Sequence, residues 1–128
     1  MYSLSFLFDN HGGVWSGSTG QLLQTLRGHT AYVYALAIGH DGTVYSGSSD
    51  HTVKVWTGDD GTLARTLLGH TNTVVSLAVN RTHRYSGLRD ATMRVWLCSS
   101  CECLCTLRGY TSFFFSLSLD NRGKLYSG

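Results

Sequence analysis

Apolar residues occur along this chain in short runs that are separated by small polar residues. The runs read YVYALAI at 32–38, TVVSLAV at 73–79 and FFFSLSL at 113–119. Each run is rich in aromatic and β-branched residues, which favour extended backbone. The pattern therefore predicts an all-β chain whose turns are built from Gly, Asp, Asn and Ser, because the sequence contains no proline.

The predicted strands belong to a repeat. Residues 45–56 read YSGSSDHTVKVW, and residues 85–96 read YSGLRDATMRVW at a spacing of 40. Ahead of these segments, GHT at 28–30 returns at 69–71 and, altered to GYT, at 109–111. Self-similarity at such a period is typical of repeat architectures, in which each copy is one supersecondary unit.

Each full copy contains four strands, which we label a to d. In the first full copy we expect them at about 32–38, 43–48, 52–57 and 63–67, because turn residues separate these segments.

The two ends of the chain hold incomplete copies. Trp15 lies 41 residues before Trp56 without any gap in the alignment. We therefore divide the chain into 1–27, the end of one repeat with about two strands; 28–68 and 69–108, two full repeats; and 109–128, the start of another repeat with strands a and b.

Four strands per copy, an opening Gly-His and a closing Trp resemble the WD-repeat β-propeller family. The closing dipeptide is Val-Trp here, at 55–56 and 95–96, where the family usually has Trp-Asp. The resemblance implies four-stranded antiparallel sheets that stack as propeller blades. About three blades are present, so we expect an open partial propeller, since closed rings typically need about four to eight.

Four polar residue types recur in both full copies, and the resemblance implies that they form a structural hydrogen-bond network. The turn aspartate accepts from the histidine, the histidine contacts the serine, and the serine accepts from the indole. Ser, His and Asp also make hydrolase triads, but a catalytic set would occur once and not in every copy, so we expect no catalytic residues. The network residues are His29, Ser46, Asp50 and Trp56 in the first copy, and His70, Ser86, Asp90 and Trp96 in the second.

The alternating apolar positions of strand a predict core residues. They are Val33, Leu36 and Ile38 in the first full copy, and Val74, Leu77 and Val79 in the second.

The resemblance also implies a partner-binding face. Family members often bind partners with residues beside the d–a and b–c loops, and aromatic and arginine side chains suit such contacts. The alternative is that the aromatic residues pack between blades. The matching positions here are Tyr32, Tyr34, Ser49, Thr73, Val75, Arg89, Phe113 and Phe115.

Cysteines cluster in CSSCECLC at 98–105. Cys98 and Cys101 have the C-x2-C spacing of zinc ligands, and Cys101, Cys103 and Cys105 should alternate onto one strand face. Zinc ribbons usually combine two C-x2-C units, however, and this chain has one. We therefore expect buried thiols with neither metal nor cofactor, and keep a thiol or metal site as the alternative.

The charge of the chain is low. Only 14% of residues are charged and the net charge is +2. Because this field is weak, we expect neither nucleic-acid nor membrane partners. The first residues lack the basic and apolar regions of a secretory signal, so we expect a cytoplasmic location, with the nucleus not excluded.

These features favour a non-enzymatic scaffold that binds protein or peptide partners. One alternative is a truncated fragment of a larger repeat protein without independent function, since the sequence stops within a repeat. We also consider head-to-tail self-association, in which strands a and b at the end of one chain complete strands c and d at the start of another and two chains form a six-bladed ring.

Overall fold

The computed structural model describes residues 2–6, 12–16, 18–57, 60–108 and 116–128, and these ranges contain β-strands but no helix. No helix that could cross a membrane is therefore found in the described ranges. The all-β prediction is confirmed. The strands are β1 (Tyr2–Phe6), β2 (Gly12–Ser16), β3 (Leu22–Leu26), β4 (Val33–Ile38), β5 (Val44–Ser48), β6 (Val53–Trp56), β7 (Leu63–Leu67), β8 (Val74–Val79), β9 (His83–Leu88), β10 (Met93–Leu97), β11 (Cys103–Leu107), β12 (Leu117–Leu119) and β13 (Leu125–Ser127).

The strands form four open sheets, and every pairing is antiparallel between neighbours in the chain. The orders are β1-β2-β3, β4-β5-β6-β7, β8-β9-β10-β11 and β12-β13. Successive sheets stack, because β4 contacts β1 on one side and β8 on the other, and β12 contacts β8. The two four-stranded sheets have the four strands expected for each full repeat.

The start of the chain differs from the sequence analysis, which expected about two strands there. The structure has three, because β1 pairs with β2 over the whole length of Tyr2–Phe6. With the offset of 41 residues, β1 takes the position of β5 in the next sheet. The first sheet therefore lacks strand a alone, and not strands a and b.

The core lies between the two four-stranded sheets. Tyr45, Val53 and Val55 pack there with Val74 and Trp96, which come from the second sheet. A smaller cluster joins Leu26 of β3 to Val44 and Trp56. Each of these two clusters combines residues from two sheets, so stacking of the sheets supplies burial that stabilises the two full repeats.

Burial along β4 and β8, which are strand a of the two full copies, differs from the prediction. Val33 and Val74 are buried as expected, but Ile38 is exposed because it is the last residue of β4, next to the turn. The small residues between the apolar ones are buried more completely, since β4 and β8 lie directly against each other and leave little room there. These small residues are Ala35, Ser76 and Ala78.

Candidate interaction site

In the first full copy, four side chains form a continuous hydrogen-bonded chain. His29, in the loop before β4, lies with Nδ1 2.8 Å from Asp50 Oδ2 and Nε2 2.7 Å from Ser46 Oγ. Trp56 Nε1–H donates to the same Ser46 hydroxyl at 2.8 Å. The contacts connect the loop, the strand β5, the β5–β6 turn and the end of β6 across the edge of one sheet.

The partners determine where the protons lie. A carboxylate can only accept, so the proton of the neutral imidazole is on Nδ1 of His29 and points to Asp50. Nε2 is then an acceptor, and Ser46 donates its hydroxyl proton to it while accepting from Trp56. Both ring nitrogens of His29, the Ser46 hydroxyl and the Trp56 N–H therefore all have hydrogen-bond partners. This matters because an unsatisfied buried donor destabilises a fold by about 1–3 kcal/mol.

The network also shifts two pKa values. Burial lowers the pKa of His29 below its ordinary value of 6.5, although Asp50 opposes that shift. Burial by itself would raise the pKa of Asp50, but hydrogen bonds from Thr52 and His29 outweigh it and hold that pKa below the usual range. At neutral pH the pair is therefore a neutral imidazole beside a carboxylate.

The same contacts bury the serine oxygen of this Ser-His-Asp arrangement. Ser46 is 1% exposed, and its oxygen accepts the Trp56 indole proton. A nucleophilic oxygen needs access to substrate and an oxyanion site, and this oxygen has no such access.

The second full copy repeats part of this chain. His70 Nε2 lies 2.9 Å from Ser86 Oγ, and Trp96 Nε1–H donates to the same hydroxyl at 3.1 Å. Asp90 does not contact the histidine. It accepts instead from Thr92 and from Thr71 Oγ1, and the buried Nδ1 of His70 has no hydrogen-bond partner. The predicted His70–Asp90 bond is thus not formed, and burial together with Arg94 lowers the pKa of His70 to about 4.

Each b–c turn is attached to the loop that precedes the same sheet. The Ser49 amide donates to the Tyr32 carbonyl at 3.0 Å, and the Arg89 amide donates to the Thr73 carbonyl at 2.9 Å. Each of these two turns carries its aspartate, and the residue directly after the aspartate, His51 or Ala91, has positive φ. The backbone of the candidate face is therefore fixed by hydrogen bonds in both copies.

The proposed partner-binding residues differ in accessibility. Tyr32 is 55% and Tyr34 45% exposed. Arg89 is exposed, while Ser49 and Val75 are half-buried. Thr73, at 8% exposure, is buried, so its side chain does not contribute to the surface. Phe113 and Phe115 lie outside the described residues.

A β-bulge that the sequence analysis missed directs one of these tyrosines outward. Pairing of β4 with β5 shifts register between Val33 and Ala35, so Tyr34 is the extra residue, and β8 has the same shift around Val75. A bulge kinks the strand and re-aims the extra side chain. The bulge follows from strand pairing and has no separate sequence signal here.

The cysteine segment is arranged differently from the prediction. Register shifts between β10 and β11 put Cys103 opposite Trp96 and Cys105 opposite Val95. Because opposed residues share a face and Val95 and Trp96 point to opposite faces, Cys103 and Cys105 do not share one. Among the described side chains, no group of three His, Cys, Asp or Glu residues is arranged to hold a metal ion. The four thiols are free, but the prediction that they are buried is wrong: three are half-buried and Cys105, on the outer strand β11, is exposed.

The sequence analysis also missed Arg84. This residue is 6% exposed, and its guanidinium donates to Cys101 Sγ and to the Cys98 carbonyl, each at 3.0 Å. Its Cζ lies 4.9 Å from the centroid of the Tyr45 ring. The available signal was the repeat alignment itself, in which Arg84 takes the position of the buried Val44.

Comparison with known proteins agrees with this architecture. The family described as WD domain, G-beta repeat matches residues 20–57 and 58–96. Each matched segment begins with the last strand of one sheet and continues with three strands of the next. The segment that the family description matches is therefore offset by one strand from the sheet. Each matched segment contributes strands to two neighbouring sheets and so connects them.

Three solved structures show the same likeness. The WD40 β-propeller domain of Doa1 matches with a TM-score of 0.86 and 26% identity over 98% of this chain and 43% of its own. U3-55K and the RRP9 WD40 repeats match with TM-scores of 0.84 and 0.83, each at 25% identity over 91% of this chain and 38% of their own. The chain thus spans about two fifths of the length of these structures. No curated protein matches it.

Proposed function

The chain belongs to the WD-domain, G-beta repeat family, and from this membership we propose that it is a non-enzymatic scaffold that binds a protein or peptide partner. The binding surface is the tyrosine face, which we define as Tyr32, Tyr34, Ser49 and Arg89. Members of the family are typically interaction scaffolds.

The exposure of the two tyrosines is the observation that carries this proposal. Large aromatic side chains normally lose their surface to packing, yet Tyr32 and Tyr34 are about half exposed in a core-forming strand and the loop before it. The backbone beneath them is held by the bond from Ser49 to Tyr32 and by the network through Asp50. A rigid support of this kind lowers the entropy lost on binding.

The chemistry of the tyrosine face indicates the kind of partner. Phenol rings with hydroxyl groups contact apolar side chains and accept or donate hydrogen bonds, and the Arg89 guanidinium suits a carboxylate. We therefore expect a peptide segment that combines an apolar side chain with an acidic one. Nucleic acid is not the expected partner, since the net charge is only +2.

Selection from a random peptide library tests the proposal. Peptides that bind the parent chain should lose binding to a Tyr32→Ser, Tyr34→Ser double variant and keep it to Leu104→Ser. Leu104 is a matched control because it is an exposed apolar residue on the outer strand β11. Selected peptides that bind the double variant as well as the parent would refute the tyrosine face.

The cysteines support a reducing compartment, the cytoplasm or the nucleus. All four thiols are free, including the closely spaced Cys98 and Cys101, and free thiols are typical of intracellular proteins.

A second candidate function is self-association of the 128 residues. The first sheet lacks strand a, and β1 is its edge strand, while β12 and β13 form a two-stranded sheet at the other end of the arc. We propose that β12 of one copy pairs with β1 of another, so that β12 and β1-β2-β3 form a four-stranded blade and the short β13 is displaced. Unpaired edges favour such pairing.

A further inference from the structure

A cavity of about 460 Å³ lies between the two four-stranded sheets, at the strand ends opposite to the tyrosine face. It is lined by the β4–β5 turn at 39–43, by the β8–β9 turn at Asn80 and Arg81, and by the start of the β10–β11 turn at Cys98. Its volume is within the range of pockets that hold small organic ligands, about 300–1,000 Å³. It is too large to be explained by a single ordered water.

Positive charge dominates the lining. Arg65, Arg81 and Arg84 contribute three guanidinium groups, and Asp41 contributes one carboxylate. The Asp41 carboxylate already accepts the Thr43 amide proton at 3.0 Å. Within the described part of the chain, none of the three arginines forms an ion pair. The protein therefore does not neutralise these guanidinium charges itself, and they can attract an anion.

Arg84 is the arginine that the fold holds most firmly. Its two terminal nitrogens are occupied by Cys101 Sγ and the Cys98 carbonyl. Its Nε–H is buried and has no hydrogen-bond partner among the described residues. A buried charge without a carboxylate, and with one donor unused, destabilises the free protein. A bound oxyanion in the cavity would compensate the charge.

Part of the remaining lining is apolar. Tyr45, Val55, Trp56 and Val79 border the cavity beside the arginines, and Trp56 is fixed by its bond to Ser46. Apolar walls next to a cationic end match a ligand that has an apolar body and an anionic group, since each part then finds its own environment.

We propose that this cavity binds an organic anion, with its carboxylate or phosphate oxygens at Arg84, Arg65 and Arg81 and its apolar body against Tyr45 and Val55. Carboxylate and phosphate oxygens both accept charge-assisted hydrogen bonds from planar guanidinium groups. The site lies at the opposite strand ends from the tyrosine face and does not depend on the scaffold proposal.

Ligand titration of the 128-residue chain at constant ionic strength tests the site, with isothermal calorimetry or ligand-observed NMR as the readout. The probes are benzoate, phenyl phosphate, inorganic phosphate and benzyl alcohol. We expect benzoate or phenyl phosphate to bind with a Kd of about a millimolar or tighter, and the stronger of the two identifies the headgroup. Benzyl alcohol should bind at least about tenfold more weakly, because it lacks the charge.

Two results of this titration would overturn the proposal. Inorganic phosphate that binds as tightly as phenyl phosphate would show that the apolar walls contribute nothing. Benzyl alcohol that binds as tightly as benzoate would show that the arginines contribute nothing.

Variants locate the binding. Arg84→Val introduces the residue of the equivalent position in the first copy, Val44, so it is compatible with a strand of this type. We expect it to weaken binding of the better probe by about tenfold or more, and Arg81→Gln and Arg65→Gln by about threefold or more. Arg108→Gln is the matched control, because it removes an exposed arginine that does not line the cavity, and its affinity should equal that of the parent.

Because Arg84 is buried, its variant is first examined for a cooperative thermal transition like that of the parent. If Arg84→Val fails to fold, the two exposed arginines decide. Unchanged affinity in both Arg81→Gln and Arg65→Gln, or an equal loss in Arg108→Gln, would refute the cavity as the binding site.

Discussion

His29 and His70 occupy equivalent positions in the two full copies, but their ring nitrogens have different partners. Both Nε2 atoms contact a serine hydroxyl. Nδ1 of His29 bonds Asp50, whereas Nδ1 of His70 is buried without a partner in the described residues. The same residue types at the same spacing therefore give one complete network and one incomplete network.

This difference predicts unequal effects of removing the two aspartates. Asp50→Ala should lower the free energy of unfolding by roughly 2 kcal/mol more than Asp90→Ala, because it leaves the His29 N–H and the Thr30 amide without their acceptor. Each substitution also removes equivalent bonds to the following threonine. Urea unfolding of both variants measures the difference, and equal midpoints would mean that the His29–Asp50 contact does not stabilise the fold.

The lowered pKa of His70 predicts acid sensitivity. The folded protein protonates His70 only near pH 4, whereas the unfolded chain protonates it near 6.5. Below the unfolded value, the unfolded chain binds a proton that the folded chain excludes, so stability decreases as pH falls. Between about pH 8 and about pH 4.5 the loss from this residue should be about 2–3 kcal/mol.

His70→Gln checks this pH dependence. The variant should keep a polar group near Ser86 but show a flatter decrease of stability over the same pH range. Urea midpoints at a series of pH values give the comparison. Parallel curves for parent and variant would exclude His70 as the source of the slope.

At the scale of the elements, close approach between sheets sets which residues are allowed. A methyl group added at Gly47 in β5 would meet Val74 Cγ1 at 2.5 Å and Cβ at 3.0 Å. The backbone of Gly47 does not have positive φ, so the requirement for glycine comes from the neighbouring sheet and not from the turn. A Cβ added at Gly28 would lie 3.1 Å from Cη2 of Trp56, which favours a small residue before His29.

The contact between Gly47 and Val74 predicts a strong coupling. Gly47→Ala should destabilise the protein by about 1–3 kcal/mol, because it overpacks the space between β5 and β8. In a Val74→Ala background the same change should cost less, because the Cγ1 atom that the methyl would meet at 2.5 Å is gone and only the Cβ contact at 3.0 Å remains. A double-mutant cycle by chemical unfolding measures this, and additive effects would contradict the role of the contact.

At the scale of the whole molecule, four stacked sheets form an arc with two ends. The inner strand of each complete sheet contacts the inner strand of the next, as in a propeller, and each end presents an edge strand. Interfaces between sheets hold the buried residues, so completing the missing blade would bury further surface. This can occur between the edge strand β1 of one copy and β12 of another, once β13 is displaced.

The 128 residues by themselves should therefore form a dimer, with a mass by light scattering of twice 14.0 kDa. Deleting residues 125–128 removes the competing strand β13 and should strengthen the dimer, whereas deleting residues 1–6 removes β1 and should give monomer. A monomer at all concentrations, a polydisperse aggregate, or a dimer that survives loss of β1 would reject the pairing.

The sequence by itself determined the strands of the two full copies and the repeat. Alternating apolar residues, turn residues and the recurring Gly-His and Trp positions act over a few neighbours in the chain, so they can be read without a fold. The four strands of each full copy follow from them, whereas the grouping of His29, Ser46 and Asp50 is implied by the resemblance to the WD-repeat family.

Only the tertiary structure decided which of these residues meet and which are exposed. It separated Asp90 from His70, buried Thr73 and Arg84, exposed Ile38, and added a third strand to the first sheet. Each outcome depends on distances between strands that are far apart in the sequence, and shifts of less than 1 Å make or break a hydrogen bond. The bulge at Tyr34 has the same origin, because strand register is fixed by the partner strand and not by the residues of the strand alone.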